Sequence, residues 1–272
     1  MNIHGLQAYG KAPWINYNNY IEDLIISEAC DPKSVSIDVG CFTGRFTWLM
    51  SRLSKLVYAF DPSPALLEKG APKHPSMPWT SPTNKGNVIF VNCALSDRRD
   101  SLTYTEYNDG SWNSLLPDSI ERAAKLKKIN QRTVPVMPLD DIVRDSNVSL
   151  LKVDAEGYDF GVIRGASAMI KRARPVILVE LVSSVQKKRA SAYIEKMGYD
   201  CYNLGWTIDP EKTIDVNMPS LNILCVPKEK TALRDRMILR HNMIVNLYEL
   251  TPQYDAGVFL QWMKNQFSHI EH

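Results

Sequence analysis

Apolar and polar positions along this chain fall into short blocks that switch between two periods. Val35–Val39, Leu56–Phe60 and Val88–Cys93 are brief apolar runs, and their length and bounding turn residues predict strands. Thr43–Leu53 lies between the first two with helical spacing, and Pro64–Lys69 predicts a short helix. Ser101–Tyr107 and Thr133–Met137 alternate in the β manner, with a helix expected between them over Pro117–Asn130 and another over Leu139–Arg144. Val148–Val153 predicts a strand and Phe160–Lys171 a helix. Pro175–Val182 is almost wholly apolar, as expected of a strand covered on both faces. After a helical Ser184–Met197, Gly198–Leu204 and Leu221–Pro227 read as an antiparallel pair that closes the sheet. Thr231–His272 reads as helices, with an apolar stripe of Met237, Ile238, Met243, Ile244 and Leu247.

Strands alternating with helices predict an α/β fold: a doubly wound, mostly parallel sheet with helices on both faces and a helical C-terminal tail. Three segments are expected: a lead-in of helix and loop over 1–34, the sheet domain over 35–227 with an insertion at about 101–137, and a helical extension over 228–272. In such sheets ligands bind beyond the carboxyl ends of the strands, so the chemistry is sought in the loops that follow them.

Composition narrows the function classes. A net charge of +2 over 272 residues gives no basic surplus of the kind nucleic-acid binders carry. The basic run from Arg122 to Arg132 is read as a solvated helix face. Cys30, Cys41, Cys93, Cys201 and Cys225 are odd in number and contain no C-x-x-C pair, which argues against a zinc site or a disulfide framework. No apolar stretch is long enough to span a membrane and the N-terminus does not read as a signal peptide, so a cytoplasmic protein is expected.

The loop after the first strand reads SIDVGCFTGRF. Gly40 and Gly44 flank a turn that opens a helix, where free N–H groups can face a ligand, and Asp38 precedes them. After the second strand comes Asp61, 21 positions beyond Gly40, a spacing that suits the hydroxyls of a ribose; an N-cap for the following helix fits the same residue. Together these indicate an adenosine-containing cofactor, and NAD and S-adenosylmethionine both fit. After the third strand, Asn92, Cys93 and Ala94 are placed to meet an adenine ring, or to form a plain turn. After the fourth, LLKVDAEGYDFGVIRGA ends a buried strand in Asp154 and Glu156, with Lys152 just inside it. Carboxylates in such a place are costly unless paired or bound to a cation; a helix N-terminus is the plain alternative.

The ordered set IDVGCFTG, AFDPSP, VNCALSD, DGSWNSL, VPVMPLDDI, LLKVDAEGYDFGVIRGA, PVILVEL and NILCVP resembles the FkbM-type S-adenosylmethionine-dependent methyltransferases over roughly Val35–Pro227. The K-x-D-x-E-G segment with the R-G-A after it is its most distinctive part. The resemblance implies a seven-stranded, Rossmann-like methyltransferase sheet and methyl transfer to an oxygen of a sugar, glycan or small natural product. It implies that Asp38, Gly40, Thr43 and Gly44 line the methionine side of S-adenosylmethionine, that Asp61 holds the ribose, that Asn92, Cys93 and Ala94 meet adenine, and that Ser111 and Ser114 lie on the cofactor side. One departure stands out. The family's first turn more often reads D-V-G-A-N-x-G, and here Cys41 and Phe42 replace Ala and Asn.

Methyl transfer to a hydroxyl needs positioning and a group to take the proton. None of the histidines, His4, His74, His241, His269 and His272, falls in a matching loop. Asp154, at the carboxyl end of the central strand, is the better placed base, Glu156 two positions on could reach the same cleft, and Lys152 is expected to keep the carboxylates ionised. Glu180, ending the next strand, could join Asp154 and Glu156 as oxygen ligands of a divalent metal, which is treated as possible but not required. The acceptor pocket is expected between the insertion and the tail, with Trp79, Trp112 or Trp206 stacking on a sugar. A nicotinamide dehydrogenase is disfavoured by the missing G-x-G-x-x-G. A nucleic-acid methyltransferase is disfavoured by Asp154-Ala155-Glu156-Gly157 standing where D/N-P-P-Y/F would be. A non-catalytic adenosine-binding module remains the third reading. No nucleic acid or membrane partner is expected, and the tail's stripe leaves a homodimer open.

Overall fold

The computed structural model describes residues 17–42, 44–63, 86–107, 128–181, 183–205, 207–212, 214–215 and 222–250. Its centre is a seven-stranded sheet. In chain order the strands of the protein are β1 (Val35–Val39), β2 (Leu56–Phe60), β3 (Val88–Val91), β4 (Ala94–Leu95), β5 (Asp100–Tyr107), β6 (Lys128–Met137), β7 (Val148–Val153), β8 (Val176–Glu180), β9 (Tyr199–Asn203) and β10 (Asn222–Pro227). The main sheet runs β3-β2-β1-β7-β8-β10-β9, parallel except for β10, which pairs antiparallel with both β8 and β9. The chain winds outward from β1 to β3, then restarts at β7 on the other side of β1, so the topological switch point lies between β1 and β7.

Side chains alternate across this sheet into two cores. Leu150, Val176, Leu178, Leu224 and Val226 face one side. There they meet α1 (Tyr17–Ala29), α2 (Arg45–Leu53) and α7 (Thr231–Leu250) through Ile21, Leu24, Ile25, Met50, Met237 and Ile244. Ile37, Val39, Leu151, Val153, Ile177 and Val179 face the other. These pack on α4 (Asp159–Gly165), α5 (Ser167–Ala173) and α6 (Ser184–Glu195) through Val162, Ile163, Met169, Ile170, Ala190 and Ile194. A strand with both faces covered must be apolar at nearly every position; β8 is, up to Glu180, whereas β7 buries Lys152. The C-terminal helix docks on the N-terminal one: Met237, Ile238 and Ile244 share a core with α1, and Arg236 reaches Glu28 at 2.6 Å.

A second, three-stranded sheet of order β4-β6-β5 carries the long β5–β6 hairpin. Two expectations change here. Lys128–Asn130, expected at the end of a helix, belong to β6 and pair with Tyr107 and Glu106, so cross-strand pairing overrides their helical composition. Lys128 and Arg132 of the basic run are therefore strand residues; the rest of the expected helix, residues 117–127, lies outside the described residues, as do Pro64–Lys69 and the tail beyond Leu250. Second, the helix expected over Phe160–Lys171 breaks at Ala166 into α4 and α5. Asp140, in the short α3 (Leu139–Ile142), accepts from Ala168 N at 2.8 Å and Met169 N at 2.7 Å, so its carboxylate caps the second helix where a continuous one would have used those amides.

Candidate active site

Asp38 and Lys152 face each other across the switch point, in register on β1 and β7. Asp38 is fully buried. Thr47, in the first turns of α2, donates to its Oδ2 at 2.6 Å. Its Oδ1 accepts no hydrogen bond among the described residues and lies 4.0 Å from Lys152 Nζ. Lys152 Nζ in turn donates to Asp154 Oδ2 at 3.3 Å and stands 4.7 Å above the ring of Phe46. Burial by itself would lower the lysine's pKa, but Asp154, Asp38, Glu22 and Glu180 outweigh it and the ammonium is held charged.

Gly40 and Gly44 both have left-handed backbone, with φ of 73° and 79°. Gly40 needs its missing side chain for a further reason: a Cβ there would overlap the carbonyl oxygen of Asp154. The first turn thus packs directly against the end of β7. Between the glycines, Phe42 is also left-handed and is largely exposed, at the place where the family more often has asparagine. Its N–H donates to Asp61 Oδ2 at 2.9 Å, while Ser63 N donates to Oδ1 at 2.7 Å. Burial lifts the Asp61 carboxyl to about 6 against these two bonds. Each oxygen keeps a further lone pair for a ligand hydroxyl.

Asn92 is exposed, and its amide donates to the Asp61 carbonyl at 3.0 Å. Cys93 and Ala94 are buried, and Ala94 opens β4 instead of a free loop, pairing with Val136. Thr43, Ser111, Ser114, Trp79, Trp112 and Trp206 lie outside the described residues.

At the end of β7 the chain turns sharply. Glu156 takes φ of 46° and Gly157 of 99°. One side chain organises this turn. Asp159, fully buried at the start of α4, accepts from Ala155 N at 2.6 Å and from Gly157 N at 3.0 Å. Gln186 of α6 adds a bond to the Gly157 carbonyl at 3.0 Å. The turn brings Glu156 beside Asp154, and β8 delivers Glu180 from the next strand. Oxygens of the three lie within 4.8 Å of one another. Asp154 and Glu180 are hydrogen-bonded to each other and titrate together. Burial raises Asp154, but Lys152 and the bond from Glu180 outweigh it and hold its carboxyl below the usual range. Burial and the charge of Asp154 push Glu180 up, so the pair keeps one proton near neutral pH.

Sequence reasoning missed the contribution of α1. Asp23 makes a buried ion pair with Arg45, the first residue of α2, at 2.7 Å. Glu22, half-buried beside it, is lifted to about 7 by burial against the fields of Lys152 and Arg45. Nothing local marks these residues, which lie over a hundred positions from Lys152 in an otherwise featureless lead-in. Thr47 and Asp159 had weak signals: a hydroxyl in the turn that follows the second glycine, and an acidic residue opening a helix.

A sequence model of the FkbM methyltransferase domain matches residues 38–201. The chain belongs to the FkbM methyltransferase family. The seven-stranded sheet is the fold expected of it. No curated protein matches the sequence. Solved structures with related folds include methyltransferase FkbM from Methylobacillus flagellatus KT, at 14% identity and TM-score 0.43, covering 82% of this chain and 58% of that one. The FkbM chain described here therefore spans little more than half of that protein. A precorrin-6y C5,15-methyltransferase from Geobacter metallireducens GS-15 shows 16% identity and TM-score 0.42, covering 80% and 91% of the two chains. SMU.1697c from Streptococcus mutans, in complex with SAH, shows 14% identity and TM-score 0.37, covering 78% and 97%. Likenesses this loose carry no argument about function; the family rests on the sequence match. Among the described residues, no helix is long and apolar enough to cross a membrane.

Proposed function

We propose that this FkbM-family protein uses S-adenosylmethionine to methylate a hydroxyl of a sugar, a glycan or another small natural product, with Asp154 as the base. The observation that carries the reading is the half-buried carboxylate pair of Asp154 and Glu180 at the ends of β7 and β8, with Lys152 Nζ 3.3 Å from Asp154, within the family's K-x-D-x-E-G segment. Bound S-adenosylmethionine would supply a methyl group already activated on a sulfonium. The residues present fit it. Asp38 keeps a buried oxygen without a hydrogen bond among the described residues. Asp38 and Asp154, with Glu22 partly ionised near neutral pH, stand against the single charge of Lys152, which favours a ligand bringing an ammonium and a sulfonium. Asp38 and the Gly40–Gly44 turn would hold the methionine part and Asp61 the ribose; Asn92, Cys93 and Ala94 are assigned to the adenine side.

Asp154 would accept the hydroxyl proton as the oxygen takes up the methyl group. Glu180 would hold Asp154 in place through its own proton, and Lys152 would keep it ionised until the acceptor arrives. General-base help of this kind is typically worth about 10²–10⁴-fold. A second reading, in which Asp154, Glu156 and Glu180 bind a divalent ion that polarises the hydroxyl, is favoured by the 4.8 Å grouping of their oxygens. The base reading needs no ion, since Lys152 Nζ, 3.3 Å from Asp154 Oδ2, already holds that carboxylate, and transfer is expected to survive EDTA.

The test is calorimetric titration with S-adenosylhomocysteine, with NAD as control, followed by a screen of sugars and nucleotide sugars using tritiated S-adenosylmethionine. Micromolar binding of the first alone, with transfer abolished in Asp154→Ala, supports the reading. NAD binding alone, or near wild-type transfer by Asp154→Ala, overturns it.

A further inference from the structure

The cofactor turn is tied to a helix outside the span that matches the family. Arg45 follows Gly44 directly, and its guanidinium sits in the first turn of α2, where the helix dipole disfavours a cation. It is buried there, with 10% of its side chain exposed, and Asp23 of α1, 6% exposed, meets it at 2.7 Å. The same guanidinium lies 4.2 Å from the Phe46 ring, and Lys152 Nζ stands 4.7 Å from that ring. Asp23, Arg45, Phe46, Lys152 and Asp154 thus form one contiguous set from the N-terminal helix to the carboxylate pair. Glu22, next to Asp23, adds its field to Lys152.

We propose that Asp23, through its buried ion pair with Arg45, is a positioning residue for the cofactor turn, so that α1 forms part of the S-adenosylmethionine site. A shift of the Arg45 end of α2 moves Gly44, Phe46 and Thr47 together. It thereby alters the Gly40–Gly44 turn and the contacts that hold Asp38 and Lys152. The inference rests on the cofactor reading above.

The test compares S-adenosylhomocysteine binding by the wild-type chain, Asp23→Asn and the double variant Asp23→Leu/Arg45→Met, each well below its melting temperature. Asp23→Asn leaves a buried charge poorly matched and is expected to melt earlier. The double variant removes both charges, a change that is often neutral or stabilising for the fold, so it separates positioning from stability. Binding weaker by about ten-fold or more in the double variant, with its melting temperature retained, supports the proposal; that is within the usual range of coupling between a distant pair and a ligand. Affinity within about two-fold of wild type in the double variant overturns it and leaves the pair a purely structural one. Absence of binding by the wild type itself would overturn the cofactor reading, and the positioning role with it.

Discussion

Replacing Lys152 by methionine removes the cation that Asp38 and Asp154 share while keeping most of the buried stem. The side chain is 2% exposed, against 0% for Asp38, so water cannot readily take over its role. Removing one partner of a buried, hydrogen-bonded pair costs about 3–5 kcal/mol because the other charge is left uncompensated. For a domain of about 150–250 residues each kcal/mol lowers the melting temperature by about 2–4 °C, which gives a drop of about 6–20 °C. The two carboxylates can reduce the penalty by taking up protons, so the deficit depends on pH. In the wild type Asp154 is held below its unfolded pKa; its contribution to stability is present above that value and lost as pH falls through the folded one. Without Lys152 the burial of Asp154 is unopposed by its main partner and the sign reverses: stability is lost as pH rises. The gap between the two proteins is therefore narrow in acid and wide in base. Urea unfolding followed by circular dichroism, at about pH 5 and about pH 8, measures it. A deficit below about 1 kcal/mol at the higher pH, or one that is the same at both, would refute the assignment of Lys152 as the charge that balances the site.

Other consequences are independent of that one. Burial raises Glu22 to about 7 and Asp23, Asp61 and Asp159 to about 6, so each binds its proton more tightly folded than unfolded. Their contribution favours the folded state below the unfolded carboxylate range and is lost as pH rises through about 6–7; scanning calorimetry should show the unliganded protein melting higher near pH 5 than near pH 8, and the opposite order would contradict the burial of these groups. Gly40→Ala forces a side chain into left-handed backbone, at about 1–3 kcal/mol, and into the Asp154 carbonyl. Loss of S-adenosylhomocysteine binding with a lowered melting temperature is expected, and unchanged affinity would show that the turn does not contact the cofactor. Asp159→Asn can satisfy only one of the two amides its carboxylate now holds. A hydrogen bond to a charged group is worth about 1.5–3 kcal/mol, so exchange of the Ala155 or Gly157 amide should quicken by roughly ten- to a hundred-fold while Leu151 and Val153 stay protected.

How far the sequence could be read depended on whether an element is fixed locally or by a distant partner. β1, β2 and β7 end at the turn residues that follow their runs, Gly40, Asp61 and Asp154, although β1 carries Asp38 and β7 carries Lys152 inside the sheet. Asp154, Glu156 and Glu180 could be placed at strand ends from sequence, but their meeting is a product of the structure, where β7 and β8 are neighbours. What sequence could not supply was contact between segments far apart in the chain. The helical composition before Asn130 gave no hint of its pairing with Glu106, and the cap that Asp140 gives to α5 is a contact across about thirty residues. Gly40 reads from sequence as a turn glycine, for packing or for close approach of a ligand, and its nearest obstacle is the backbone of Asp154, so it sets the spacing of β1 against the end of β7.

The boundary of the family match has a structural consequence of its own. Residues 38–201 contain the glycine turn, Asp61 and all three carboxylates of the cluster. They do not contain β10, which lies inside the sheet between β8 and β9 and pairs with both. Without it, Val179 and Ile177 of β8 would face an open edge, and β9 would have no neighbour in the sheet. Nor do they contain α1, whose Ile21, Leu24 and Ile25 cover one face of the sheet and whose Glu22 and Asp23 stand against the two buried cations. The α7 helix covers α1 in turn. The residues proposed for the chemistry thus sit within the matched span, but charges that act on the buried Lys152 and Arg45 come from outside it. A chain cut to residues 38–201 would keep Lys152 and every residue of the carboxylate cluster, and lose the helix that covers that face of the sheet and pairs with Arg45.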